Sequence, residues 1–233
     1  MNRRLFLGLA ATYALDLFLP NPSYGKKRND NLLYTFDDVP FDKGRMVDIV
    51  KILKQDSCNS QFYLTGKGIS KYPESVEYLI EQGYSVGWHS MNHEVMSRKN
   101  RKEFLDDVIE WKRLLKEIIP GYEPRFARFP YGLGLDWQIE VLKDKGMVLQ
   151  RFTRRKRITS NWDVDSIDWN PYFVRTAKDM RTRASKLDSK LSVVLLFHLA
   201  LAKDLKFGSK VIDESLITSD HENFQRFVRT LKS

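Results

Sequence analysis

Short apolar runs and amphipathic stretches take turns from Leu32 to Phe197, and this alternation restricts the fold more than any other feature of the chain. Residues 32–36, 61–64, 84–88, 125–129, 147–152 and 191–197 have the length and apolar density of buried strands. Between them, Met46, Ile49, Val50 and Leu53 recur at helical spacing. Residues 73–82 read as a helix opened by Pro73 and closed by Gly83. Phe104, Val108, Trp111, Leu115 and Ile118 mark one face of a long helix that ends at Pro120-Gly121, and further helices are expected over 136–145 and 175–187. Strands separated by helices of this length need crossover connections and so pair in parallel, as a barrel or a doubly wound sheet. A length of 233 residues suits one such α/β domain with a sizeable core.

The polar residues at the strand ends carry the functional signal. Asp37 and Asp38 follow the first strand, His89 the third, Arg128 lies at the end of the fourth, and His198 follows the last. In parallel α/β folds the carboxyl ends of the strands gather the active site. Adjacent carboxylates at a strand end repel each other unless a cation or base neutralises them; alone, such a pair serves equally as a helix cap or turn. His89 and His93 form an H-x-x-x-H pair that reaches one ion if the segment turns helically. Two imidazoles and one carboxylate, with positions left open, suit a catalytic zinc or a similar divalent ion. His198 by itself reads as either a core histidine or a proton donor.

Five segments together resemble the motifs of the polysaccharide deacetylase family, the NodB-homology group also called carbohydrate esterase family four. They are Thr35-Phe36-Asp37-Asp38-Val39-Pro40, His89-Ser90-Met91-Asn92-His93, Arg128-Phe129-Pro130-Tyr131-Gly132, Asp165-Ser166-Ile167-Asp168-Trp169 and Leu196-Phe197-His198. The resemblance implies a single distorted parallel (β/α) barrel over residues 26–233 that hydrolyses N-acetyl groups on amino sugars. Carried over position by position, it makes Asp38, His89 and His93 the ligands of one divalent metal, zinc or cobalt. Asp37 becomes the general base and Arg128 the residue that orients it and keeps it ionised. The backbone N–H of Tyr131 becomes the oxyanion donor and a substrate contact. His198 becomes the general acid, its pKa raised by Asp168, while Trp169 and Leu196 line the acetyl pocket. Val39 departs from the family's glycine, and its branched side chain is expected to narrow the cleft, change the sugar preferred or mark a relative of low activity.

Charge and the N-terminus narrow the setting. Thirty-nine Lys and Arg against 30 Asp and Glu give a net charge of +9, which favours an anionic surrounding such as a wall polymer. The one dense basic run, Arg151, Arg154, Arg155, Lys156 and Arg157, comes without a nucleic-acid fold signature, so no nucleic-acid partner is expected. With Cys58 the only cysteine, an intramolecular disulfide and any CxxC site are impossible. Residues 1–25 have signal-peptide anatomy: Arg3-Arg4, a mainly apolar run to Leu19 that is too short for a comfortable span, then Pro20, Pro22, Ser23 and Gly25. Arg3-Arg4-Leu5-Phe6-Leu7 resembles a twin-arginine export motif, with an ordinary Sec signal as the alternative. The expected product is an exported enzyme of the periplasm or cell envelope, without a membrane span once the signal is removed. Peptidoglycan N-acetylglucosamine leads as substrate; chitooligosaccharide, acetylxylan and a carbohydrate-binding pseudoenzyme are the alternatives.

Overall fold

The computed structural model describes residues 32–150, 153–155, 158–168, 175–187, 193–198 and 221–232. The expected signal segment and Trp169 lie outside the described residues. The strands are β1 (Leu32–Val39), β2 (Asn59–Leu64), β3 (Ser85–Trp88), β4 (Phe126–Ala127), β5 (Val148–Leu149), β6 (Thr153–Arg155), β7 (Ile158–Ser160), β8 (Val164–Asp165) and β9 (Val193–Phe197). The helices are α1 (Lys43–Gln55), α2 (Gly66–Lys71), α3 (Pro73–Glu81), α4 (Arg101–Ile118), α5 (Asp136–Asp144), α6 (Ala177–Ala184) and α7 (His221–Lys232).

Among the described residues, seven strands form one parallel sheet in the order β5-β4-β3-β2-β1-β9-β8. This is the expected parallel (β/α) barrel, curled, with β5 and β8 at the ends of the sheet among the described residues. β6 and β7 stand apart as an antiparallel hairpin. The hairpin is not among the elements that the sequence predicts, since residues 151–157 are a basic rather than an apolar run.

Strand alternation separates two buried faces. Tyr34 and Phe36 of β1 point into the apolar core beneath the helices, where Phe36 stacks on Phe62 (5.1 Å) and on Phe197 (5.5 Å). Thr35 and Asp37 point the other way, and both are buried polar groups. α7 closes the core with Phe224, Phe227, Val228 and Leu231, packing against α1 and α6. These four residues recur at helical spacing, a signal the sequence reading left unassigned. α4 begins at a capping box in which the Asn100 side chain accepts from the Glu103 N–H and Glu103 accepts from the Asn100 N–H. α2 was missed because Gly66 and Gly68 are poor helix formers; the Thr65 side chain caps it by accepting from the Gly68 N–H. No helix among the described residues is long and apolar enough to cross a membrane.

Candidate active site

Neighbouring residues of a regular strand point to opposite faces, so Asp37 and Asp38 need an irregularity to reach one cleft. β1 supplies it: the pairing with β2 shifts between Phe36 and Val39, and Asp38 sits in the left-handed region at φ 59°. As a result Asp37 Oδ2 and Asp38 Oδ1 both approach His89 Nε2, at 3.7 and 3.6 Å. Val39 returns to the core. It is fully buried among apolar residues, so the expectation that its side chain narrows the cleft is corrected.

His89 directly follows β3. Its Nδ1 lies 2.9 Å from the Arg128 carbonyl, which can only accept, so the proton is on Nδ1 and the Nε2 lone pair is free. Burial pushes its pKa down to about 3, against the pull of Asp38, and keeps the ring neutral. The segment from His89 to His93 is not helical. Left-handed residues at Ser90 (φ 64°) and His93 (φ 55°) turn it instead, and the Ser90 hydroxyl accepts from the His93 N–H at 2.9 Å. His93 Nε2 then stands 3.3 Å from Asp38 Oδ1. One ligand atom each from Asp38, His89 and His93 lies within 4.8 Å of the other two. Two of the converging atoms, His89 Nε2 and Asp38 Oδ1, are buried without a hydrogen-bond partner. A borderline divalent cation satisfies both at once, so the donor set fits the expected metal.

Arg128 follows β4 and is fully buried. Its Nη1 donates to Asp37 Oδ1 and to Thr35 Oγ1, both at 2.7 Å, and its Nη2 donates to the Asn161 carbonyl at 3.1 Å. The guanidinium also lies 4.1 Å from the centre of the Tyr63 ring. Burial pushes the Asp37 pKa up, although Arg128, His198 and His93 oppose it. Arg128 therefore orients Asp37 without cancelling the cost of burying its charge. Thr35, Tyr63 and Asn161 were not expected here. Thr35 was legible, because it sits two positions before Asp37 and so on the same face.

Across the cleft, Asp168 binds His198 twice. Its Oδ2 accepts from the His198 backbone N–H at 2.8 Å, and its Oδ1 lies 3.0 Å from Nδ1. The Ser166 hydroxyl donates to the same carboxylate at 2.7 Å, and Ile167 between them adopts φ 58°. Burial alone would depress the His198 pKa, but the bond and charge of Asp168, with Asp37 and Asp38 beyond, raise it to about 9. Tyr131 has φ 59°, and its exposed ring rests on His93 with centroids 4.6 Å apart. Leu196 is buried and registers with Thr35, on the Asp37 face. Asp37, Asp38, His89, His93, Arg128, Tyr131, Asp168, His198 and Leu196 thus belong to one rim, with Trp169 outside the described residues.

The model of the polysaccharide deacetylase family matches residues 24–149. A peptidoglycan-N-acetylglucosamine deacetylase of Bacillus cereus is 30% identical over 135 residues, 58% of this chain and 45% of that protein. A chitooligosaccharide deacetylase of a Bradyrhizobium species is 28% identical over 159 residues, 68% of each chain. The match to a peptidoglycan-N-acetylmuramic acid deacetylase of Bacillus subtilis, 28% identical, spans 62% of this chain but only 28% of that protein. Among solved structures, a family 4 carbohydrate esterase from Streptomyces lividans in complex with acetate superposes with a TM-score of 0.63 at 22% identity, over 88% of this chain and 89% of that one. A family 4 pseudoenzyme from Bacillus anthracis superposes with a TM-score of 0.61 at 18% identity, over 88% and 62%. These two likenesses concern the fold.

Proposed function

Because this chain belongs to the polysaccharide deacetylase family, we propose that it hydrolyses N-acetyl groups from the amino sugars of an exported polysaccharide, peptidoglycan N-acetylglucosamine before others. The observation that carries this reading is the convergence of two buried ligand atoms without hydrogen bonds, His89 Nε2 and Asp38 Oδ1, beside a carboxylate held by a buried arginine. Asp38, His89 and His93 would hold one divalent ion, zinc or cobalt, which when bound supplies Lewis acidity toward water and the acetyl carbonyl. Asp37 takes the proton from the attacking water. Its upward pKa makes it a stronger base than an exposed aspartate, and Arg128 on Oδ1 fixes the direction in which Oδ2 reaches. The Tyr131 N–H donates to the oxygen that gains charge. His198, kept protonated by Asp168, delivers its proton to the departing amine, without which the C–N bond does not break readily. Leu196 and Trp169 border the acetyl methyl.

Residues 1–25 would direct export, by the twin-arginine or the Sec route, to the periplasm or cell envelope. The likeness to the Bradyrhizobium enzyme supports chitooligosaccharides as the second substrate class. Acetate release from peptidoglycan, chitooligomers and acetylxylan, with and without chelator, tests the proposal. Release from the first or second is expected, abolished by chelation and restored by Zn²⁺ or Co²⁺. Full activity after verified metal removal would overturn the metal-dependent reading, and binding without acetate from any polymer would make the chain a pseudoenzyme.

A further inference from the structure

An aspartate interrupts the apolar face of α4. Asp107 lies between Phe104, Val108 and Trp111, and its side chain is only 2% exposed. A buried carboxylate is costly unless it is hydrogen-bonded, and the hydrogen-bond donors to this one belong to the strand end and loop that carry the two histidines. Oδ1 accepts from the Trp88 indole N–H at 3.1 Å, and both oxygens lie 3.2 Å from the Met91 N–H. Lys99 Nζ is 3.7 Å from Oδ2. Trp88 precedes His89, and Met91 stands midway between His89 and His93.

The opposite side of the same loop is held as well. The N–H groups of Gly66 and Lys67 donate to the carbonyls of Ser90 and Met91, each at 2.9 Å. A Cβ on Gly66 would fall 3.1 Å from Met91 Cα and 2.3 Å from its Sδ, so the two segments pack closely at the glycine. The loop thus threads between α2 and the Asp107 carboxylate, with left-handed residues at Ser90 and His93. Such conformations persist only where the surroundings over-determine them.

We propose that Asp107 is a positioning residue of the metal site: by gripping Trp88 and Met91 on either side of His89, it sets the separation at which His89 and His93 face Asp38. The inference rests on the reading of Asp38, His89 and His93 as metal ligands. Asp107 touches none of the three, so it acts through the loop.

Asp107→Asn keeps the volume but sets an amide donor against the Trp88 or Met91 N–H. The expected result is a zinc affinity ten- to a hundredfold weaker, the usual size for a group that orients metal ligands, read by competition against a chromogenic chelator without any substrate. Asp106→Asn, one residue away on the exposed side and paired with Lys102, should bind zinc as the wild type does. A purely structural Asp107 would lower the melting temperature of the metal-free protein and leave the zinc affinity of the folded fraction unchanged; that outcome overturns the proposal. Should Asp107→Asn not fold, Asp107→Glu decides, since it keeps the charge but shifts the two oxygens: weaker zinc binding supports the proposal, and equal binding overturns it. A wild-type chain that takes up no zinc would remove the metal reading and this inference with it. A wild type that binds, beside a folded variant that binds equally, removes this inference alone.

Discussion

The cleft has two histidine-bearing sides that burial treats alike and hydrogen bonding treats oppositely. On the β3–β4 side, His89 gives its Nδ1 proton to a neutral backbone carbonyl, and burial takes its pKa to about 3. On the β8–β9 side, His198 meets the Asp168 carboxylate through the same Nδ1, and its pKa rises to about 9. Both rings are well covered, with side-chain exposures of 2% and 14%. The difference lies in the charge of the Nδ1 partner. A neutral partner leaves a lone pair fit to bind a cation, and an anionic one stores a proton fit to be delivered. One residue type is thus tuned in opposite directions on the two walls of the cleft, as the proposed reaction would need of a ligand and an acid.

Disabling the β1 side of this pairing should have the largest effect. Asp37→Asn should lower activity about a hundredfold or more, the worth of a positioned base, while metal content by mass spectrometry stays at the wild-type level. Asp38→Asn should instead lose metal, and excess metal should restore part of the activity. If Asp37→Asn is the metal-free variant and Asp38→Asn the loaded one, the two roles are reversed.

Removing the anion on the acid side comes next. Asp168→Asn should lower the His198 pKa from about 9, because burial is then opposed only by the charges of Asp37 and Asp38. A smaller share of His198 would then carry its proton at pH 7, and activity should fall roughly ten- to a hundredfold, recovering as the pH is lowered. Imidazole NMR titration beside acetate release checks both; an unmoved pKa would mean that Asp168 does not hold the proton.

The smallest effect is on stability. In the metal-free protein His198 binds its proton more tightly folded (about 9) than unfolded (6.5). Its contribution is complete below pH 6.5 and is lost as pH rises through 9, on the order of 1–3 kcal/mol. Melting curves of wild type and Asp168→Asn should therefore converge between pH 7 and 10, and a constant gap would show that the ion pair does not form.

What could be read in the sequence was the chemistry at the strand ends, because a strand end fixes where its next side chain goes. Asp37, His89, Arg128 and His198 each follow or end an apolar run and reach the same rim. What could not be read was set by backbone departures from regular geometry. The β1 bulge decides that Asp38 enters the cleft while Val39 enters the core, and nothing in the order of the residues announces it. The histidine pair was tied to a helical turn, whereas two left-handed residues and the grip of α2 bring the rings together. Asp107 was a readable signal passed over, a carboxylate three residues after Phe104 on an apolar stripe. β8 pairs over only two residues, too few for a hydrophobic pattern to register.

The central position of β1 has a consequence in time. Its neighbour on one side, β2, follows within a few tens of residues, but the Leu195 carbonyl that accepts the Thr35 hydroxyl lies 160 positions further along the chain. At about 5–20 residues per second, a ribosome needs roughly 8–30 s to make that interval. During that time β1 has an open edge, and Phe36 lacks the ring of Phe197 that later stacks on it. Long-range pairing of this kind slows folding and leaves a strand open to wrong partners. The first of the described strands is thus among the last to be paired on both edges.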